Sequence, residues 1–166
     1  MKRRTSLRAA TAAASGLLLA LAGCAVAPSS PELSGPRWSG RLALQIEGRP
    51  EGSFSAGFDL RGSARAGELE LFTPLGSTAA WLQWAPDRAR LRAPGQPERQ
   101  ATSLDDLLIQ ATGTPLPVAA LFDWLAGIPS GADGWQVDLS GRAEGRLRAR
   151  RLATPVADLR IVLNTP

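Results

Sequence analysis

The side chains that usually carry out chemistry in proteins are scarce in this sequence of 166 residues. It contains no histidine and a single cysteine, Cys24, which excludes the usual metal ligands, Cys or His nucleophile and base pairs, and disulfides. Acidic residues lie close together twice, at Asp105 and Asp106 and at Glu68 and Glu70. The first pair suits a helix N-terminus and the second the outer side of a strand, so their spacing gives no support to a hydrolase that works through carboxylates. The sequence therefore predicts a protein that is not an enzyme and that uses neither a metal nor a cofactor.

The one cysteine ends an N-terminal leader. A basic start (KRR) precedes an almost wholly apolar run at residues 9–21, which is shorter than the roughly 18 to 20 residues that a membrane-spanning helix needs. Residues 21–24 (LAGC) resemble the lipobox of bacterial lipoproteins, in which the chain is cut before the cysteine and the new N-terminus is acylated. The resemblance implies a signal peptide at residues 1–23 and permanent lipid attachment at Cys24. A buried thiol behind an ordinary signal peptide is the alternative.

Removal of the leader changes the charge balance. The leader carries four basic residues and no acidic one, so 19 minus 4 leaves 15 Lys and Arg against 15 Asp and Glu. A nucleic-acid partner needs concentrated positive charge and is therefore not predicted. The four arginines within residues 146–151 alternate with apolar residues, which favours a solvated strand face over contact with anionic lipid. Residues 24–37 are rich in Pro and Ser and predict a flexible tether, and residues 38–166 predict one monomeric domain.

The hydrophobic pattern changes its period twice along this domain. Between residues 40 and 101, short runs of alternating apolar and polar residues predict strands. These strands must be antiparallel because every connection is too short for a parallel crossover. Ser103, followed three residues later by Asp106, predicts the start of one helix, and Pro117 predicts the first residue of a second. Residues 135–163 return to the period of a strand. The sequence thus predicts one sheet of eight or nine strands, interrupted by two helices.

The inner face of such a sheet must be covered, and two short helices cover only part of it. The predicted inward side chains mix large residues with small ones and include few polar groups. That mixture suits either an interlocking core or an apolar hollow. From the residues alone, the filled core is favoured.

Several stretches, in the same order along most of the domain, resemble one family, the outer-membrane lipoprotein receptor LolB. Besides the lipobox they are WSGRLAL at residues 38–44, GSFSAGFDL at 52–60, LELFTPLGSTAAWL at 69–82, ATGTPLPVAALFDWLAGIP at 111–129 and GWQVDL at 134–139. The resemblance implies a mainly β fold: an incomplete antiparallel β-barrel that encloses a hydrophobic cavity, with two or three short helices as a lid. The connection at residues 130–133 is shorter than in many members of the family.

The implied function is that of a receptor anchored to the periplasmic face of the outer membrane by its lipid. Such a receptor accepts lipoproteins from the periplasmic carrier LolA, holds their acyl chains, and releases them into the inner leaflet of the outer membrane. Because no glycine-rich phosphate loop follows any strand, we expect transfer to be passive. A structural or scaffolding envelope lipoprotein with a filled core is the alternative.

The resemblance also assigns site residues. Leu75 matches the exposed leucine of a protruding loop that engages the membrane, with Pro74 and Gly76 shaping the turn. The alternative is that Leu75 folds back against Phe72 or Trp81. The residues predicted to line the acyl-chain cavity are Leu42, Leu44, Ile46, Phe54, Phe58, Leu69, Leu71, Trp84, Leu108, Leu121 and Leu125.

Overall fold

A computed structural model describes residues 35–164 of the chain, so Cys24 and the predicted signal peptide lie outside the described residues. Within this part of the chain, nine strands and two α-helices follow one another in the predicted order. The strands are β1 (Arg37–Ile46), β2 (Phe54–Gly62), β3 (Gly67–Phe72), β4 (Thr78–Ala85), β5 (Arg88–Arg92), β6 (Arg99–Ala101), β7 (Trp135–Asp138), β8 (Arg146–Arg151) and β9 (Ala157–Leu163). The helices are α1 (Leu104–Thr112) and α2 (Val118–Leu125).

The strands form one antiparallel sheet in the order β6-β5-β4-β3-β2-β1-β9-β8-β7. The last strand, β9, pairs with the first, β1, and so brings the two ends of the domain together at the centre of the sheet. The edge strands β6 and β7 do not pair with each other within the described sheet. The prediction of an incomplete antiparallel barrel with short helices is therefore confirmed.

Alternation along each strand divides the sheet into an inner face, which the helices cover, and an outer face. On β1, Leu42 and Leu44 are buried on the inner face, whereas Arg41 points outward and is exposed. Leu42 pairs with Ala56 of β2 on one side and with Ile161 of β9 on the other, so the inner residues of neighbouring strands meet. This register keeps apolar side chains on one face across the centre of the sheet. Strand β1 begins at Arg37, one residue before the predicted start of the domain.

Helix α1 begins and ends at its predicted signals. The Ser103 hydroxyl accepts a hydrogen bond of 3.1 Å from the backbone N–H of Asp106, and two acidic residues occupy the first turn. At the other end Gly113 adopts a left-handed conformation with a φ of 72°. Its N–H donates to the carbonyl of Ile109, which ends the helix.

Helix α2 begins one residue later than predicted. Pro117 has a non-helical backbone, with φ −84° and ψ 70°, so it precedes the helix and Val118 is the first helical residue. At the C-terminal end, the Nε atom of Arg142 donates a 3.0 Å hydrogen bond to the carbonyl oxygen of Leu125, which has no partner within the helix. Phe122 and Trp124 are buried against the sheet. No helix within residues 35–164 is long and apolar enough to cross a membrane.

Candidate functional site

An apolar cavity of about 510 Å³ lies between the inner face of the sheet and the two helices. Its volume falls within the roughly 300 to 1,000 Å³ that is typical of ligand pockets. The filled core that the residues alone favoured is therefore wrong for this region. Ten of the residues predicted to line the cavity do so: Leu42, Leu44, Phe54, Phe58, Leu69, Leu71, Trp84, Leu108, Leu121 and Leu125.

Ile46 was also predicted to line the cavity, and the structure places it elsewhere. Its side chain is buried under the turn between β1 and β2, where a methyl group added to Gly52 would lie 3.1 Å from the Cδ1 atom of Ile46. The hydroxyl of Ser53 accepts a 2.8 Å hydrogen bond from the Ile46 backbone N–H, which holds the turn in place over the Ile46 side chain. Ile46 therefore supports the turn and does not face the hollow.

Other lining residues were not in the set predicted to line the cavity, although Ala56 and Ala80 were expected to point inward. Leu60 and Leu82 continue the alternation of the predicted residues on their own strands, so the pattern could have found them. Leu159 and Ile161 depend on the pairing of β9 with β1, which no local pattern reveals. The additional apolar lining residues are Ala56, Leu60, Phe72, Pro74, Ala79, Ala80, Leu82, Leu91, Leu104, Leu107, Ala111, Leu116, Pro117, Val118, Leu159 and Ile161.

Aromatic side chains close one end of the inner face. The ring of Phe122 on α2 stands edge-on to Trp38, at 5.5 Å between ring centroids, and to Trp84, at 6.3 Å. The indole N–H of Trp84 donates a 3.0 Å hydrogen bond to the carbonyl of Ser63, in the turn between β2 and β3. The cluster fixes Trp84, a cavity wall residue, at the end of the sheet where β1 begins.

Turns border the cavity at the opposite end. Strands β1, β3 and β5 all run toward that end, so the three turns that follow them lie side by side. Each turn contributes to the lining, through Gly52, Pro74 and Gln96 respectively, and the connection between the helices adds Leu116 and Pro117. The cavity is partly open to solvent. We take this end, where exposed turn residues such as Pro74 and Gln96 border the cavity, as its mouth.

Leu75 protrudes from the turn between β3 and β4, and 94% of its surface is exposed. Hydrogen bonds within the turn hold it rigid: the Thr73 N–H donates to the Ser77 carbonyl at 2.8 Å, and the Gly76 N–H donates to the Thr73 carbonyl at 2.9 Å. Gly76 has a φ of 83°, a backbone conformation that favours glycine. Pro74, on the other side of Leu75, lines the cavity. The alternative in which Leu75 folds back against Phe72 or Trp81 is wrong.

Few polar side chains line the cavity. The lining includes the polar residues Glu51, Ser55, Thr73, Gln96 and Thr112, and the Thr112 hydroxyl donates to the Leu108 carbonyl at 2.9 Å. No group of three or more potential metal ligands occurs within residues 35–164. The arrangement offers a ligand an apolar volume with a narrow polar border, which suits a hydrocarbon chain.

The two acidic pairs have structural contacts. Glu68 forms a 2.9 Å ion pair with Arg61, and Glu70 accepts a 2.7 Å hydrogen bond from the Thr78 hydroxyl, both on the outer face. Asp106 lies in the first turn of α1, where its carboxylate accepts a 2.7 Å hydrogen bond from the hydroxyl of Ser103. These carboxylates do not face one another across the cavity, since none of them is among its lining residues.

Arginines on β8 and β9 form ion pairs on the outer face. Asp158 accepts hydrogen bonds from Arg148 and Arg160, each with a shortest distance of 2.7 Å. Partial burial of the Asp158 carboxyl opposes ionisation, but the hydrogen bonds from the two guanidinium groups outweigh it and lower the pKa of Asp158 below its ordinary value. Arg146, Arg148 and Arg150 are exposed, as expected for a solvated strand face.

Comparison with known proteins gives a consistent result. Residues 37–151 match the family model described as "Outer membrane lipoprotein LolB". A relative from Bordetella petrii is 33% identical over 151 residues, which cover 76% of each chain. One from Cupriavidus pinatubonensis is 39% identical over 140 residues, 80% of this chain and 66% of the relative. One from Thiobacillus denitrificans is 29% identical over 175 residues, 90% of this chain and 92% of the relative. All three are named "Outer-membrane lipoprotein LolB".

Proposed function

The chain belongs to the LolB family of outer-membrane lipoproteins, and on that premise we propose that it is a receptor for lipoproteins in transit. It accepts them from the periplasmic carrier LolA, holds their acyl chains in the cavity, and releases them into the inner leaflet of the outer membrane. It acts as a monomer, without a cofactor and without catalysing a reaction.

The observation that carries this proposal is the apolar cavity, whose mouth lies beside the protruding Leu75. Each methylene group that leaves water for an apolar site stabilises the bound state by about 0.8 kcal/mol, so an acyl chain is held without specific polar contacts. Binding of this kind is non-directional, and the chain can move on to any environment that is more apolar. Transfer therefore requires only that the free energy of the acyl chain is lower in the cavity than in the carrier, and lower still in the bilayer.

The loop links the cavity to the membrane. Thr73 and Pro74 form part of the cavity wall, and the next residue, Leu75, is the most exposed large apolar side chain among the described residues. Insertion of one leucine into hydrocarbon contributes about 1.5 to 3 kcal/mol, which orients the protein at a bilayer without fixing it there. Once Leu75 is inserted, the mouth of the cavity lies at the membrane surface and the acyl chains need to cross little water.

The lipid anchor keeps the receptor at its membrane. Cys24 lies outside the described residues, and its acylation remains a proposal that rests on the lipobox. The tether enters the domain at Arg37, at the end of β1 opposite the Leu75 loop. Strand β1, with 10 residues, is about 33 Å long, and the 12 residues at 25–36 can extend over about 40 Å. The tether is therefore long enough for the anchor and Leu75 to reach one bilayer.

The scaffolding alternative is not favoured, because it requires a filled core where the structure has a hollow. The direct test uses the lipidated full-length chain in vesicles and a LolA-type carrier loaded with a fluorescent lipoprotein. We expect the lipoprotein to pass from the carrier to the vesicle membrane, and vesicles without the chain should take up much less. If the folded chain retrieves no more lipoprotein than empty vesicles do, the proposed function is wrong.

A further inference from the structure

One of the five tryptophans stands apart from the others. Four of them belong to the hydrophobic core or pack against it, whereas Trp81 does neither. It lies half-buried on the outer face of β4, between two residues that point into the cavity. The indole N–H groups of Trp84 and Trp124 donate to backbone carbonyls, but that of Trp81 has no hydrogen-bond partner among the described residues. Trp81 therefore presents an apolar ring and a free donor at the surface.

Arginines lie along the outer face of β5 on one side of this tryptophan, and Glu70 of β3 is its ladder partner on the other side. Arg92 of β5 is paired with Trp81 in the ladder, and its Cζ atom lies 5.0 Å from the centre of the indole ring. A cation–π contact of this kind is worth about 0.5 to 1 kcal/mol at an exposed site, which explains the stacking. It does not explain Arg88 and Arg90, which lie exposed on the same face of β5. Their side chains form no hydrogen bond or ion pair with any described residue, although Arg90 lies within electrostatic reach of Glu98. Arg92 itself also pairs with Glu98, at 2.5 Å.

The distance between Trp81 and the Leu75 loop limits how both can contact one bilayer. Trp81 and Leu75 belong to the same hairpin, β3–β4, and Trp81 is four residues beyond Ser77. At about 3.3 Å per residue, Trp81 lies about 13 Å behind the loop. The headgroup layer on each side of a bilayer is only about 5 to 7 Å thick. With Leu75 inserted, Trp81 thus reaches the headgroups only if the hairpin leans over with its outer face toward the bilayer.

We propose that Trp81, Arg88, Arg90 and Arg92 form a second membrane contact, the hairpin patch, which rests on the headgroups of anionic phospholipids when Leu75 is inserted. Tryptophan prefers the boundary between hydrocarbon and water, and arginine binds phosphate groups there. The inference rests on the proposed function and adds an orientation to it. A hairpin that leans on its outer face keeps the cavity mouth, beside Leu75, at the membrane surface and turns the helices toward an approaching carrier.

The test places an environment-sensitive fluorescent label at single sites in the lipidated full-length chain. Cys24 is the only cysteine and is acylated under the proposed function, so an introduced cysteine is the only free thiol. The variants are Leu75→Cys, Trp81→Cys and Val162→Cys. Val162 is the matched control, because it is 50% exposed on the outer face of β9, four strands away from β4. The vesicles contain phosphatidylethanolamine and phosphatidylglycerol, with a nitroxide quencher either on the headgroup or in the middle of the acyl chain.

We expect mid-chain quenching at position 75, headgroup quenching at position 81, and quenching by neither probe at position 162. Replacement of Arg88 and Arg90 by glutamine should reduce the fraction of label 81 in contact with headgroups by about fivefold for each arginine at low salt. Omission of phosphatidylglycerol from the vesicles should also reduce this fraction. If Trp81→Cys does not fold cooperatively, Gln83→Cys reports from the next outward position on β4.

The possible failures are distinguishable. If label 81 behaves like label 162 while label 75 is quenched in the acyl region, the hairpin patch is wrong and the loop contact stands. If label 81 is shielded only after a carrier is added, the patch contacts a protein and not the membrane, which also overturns the inference. If label 75 itself is not quenched, the proposed loop contact fails, and the leaning hairpin fails with it.

Discussion

Replacement of Leu75 by glutamate should slow release strongly while leaving the fold and the cavity intact. The side chain is 94% exposed and does not contribute to the core, so the change in free energy of unfolding should stay within about 0.5 kcal/mol. The lost insertion energy is about 1.5 to 3 kcal/mol, and a charged group at the same depth adds a further penalty. The population of chains with the mouth at the bilayer should therefore fall by roughly 10 to 150 fold.

The assay separates the two steps of transfer. Acceptance is measured as loss of fluorescent lipoprotein from a loaded carrier, and release as its later appearance in the vesicle bilayer. We expect Leu75→Glu to retain acceptance and to slow release by at least about tenfold. Ile128→Glu is the matched control, because Ile128 is 55% exposed and follows α2, where Gly127 lies beside Arg142 at the end of the sheet opposite the loop.

Two outcomes would refute this reasoning. If Leu75→Glu released lipoprotein at the wild-type rate, the exposed leucine would have no part in delivery. If Ile128→Glu slowed release to the same extent, the effect would reflect added charge on the surface and not the position of the loop.

Three further predictions concern the cavity, the sheet and the ion pairs. Ala56→Phe should fill the space of at least two methylene groups in the cavity and so weaken binding of a fluorescent fatty acid by about tenfold. Ala43→Phe, on the outer face, should leave the affinity unchanged. Equal affinities of the two variants would exclude this cavity as the binding site. Gly67→Ala should destabilise the fold by about 1 to 3 kcal/mol in urea, because the added methyl group would lie 2.4 Å from Cζ2 of Trp84, and an unchanged midpoint would contradict the packing. The lowered pKa of Asp158 contributes stability above the pKa of the unfolded chain and loses it as pH falls through the folded value. Asp158→Asn should therefore cost up to about 1 kcal/mol at neutral pH and nothing in strong acid, and a deficit that persisted in acid would contradict the ion-pair origin.

The elements that the sequence predicted well depend on short-range signals. The cap at Ser103 and the glycine at Gly113 act within one helical turn, so they could be identified without knowledge of the fold. Strand alternation and helical spacing likewise depend on nearby residues. Of the eleven side chains predicted to line the cavity, seven on strands and three on helices lie in its wall. Leu75 was identified through the resemblance of its loop to the family, and its 94% exposure agrees with the protruding position that the resemblance implies.

The features that the sequence could not supply depend on long-range packing. Ile46 has the same alternation as Leu44, but the turn that follows β1 folds over it, and that contact is not visible in a local pattern. The lining by Leu159 requires the pairing of β9 with β1, more than 100 residues away. Whether a hollow forms depends on how closely the helices approach the sheet. The mixture of large and small inward side chains does not determine that distance.

The central claim is that acyl chains lie between the inner face of the sheet and the helices. A crystal structure of the chain with a bound diacylglyceryl lipopeptide tests it most directly. We predict hydrocarbon density in contact with Leu69 and Leu121, with the polar part of the lipopeptide at the turns that border the mouth. Density for the acyl chains at another surface, with the cavity collapsed or empty, would contradict the account.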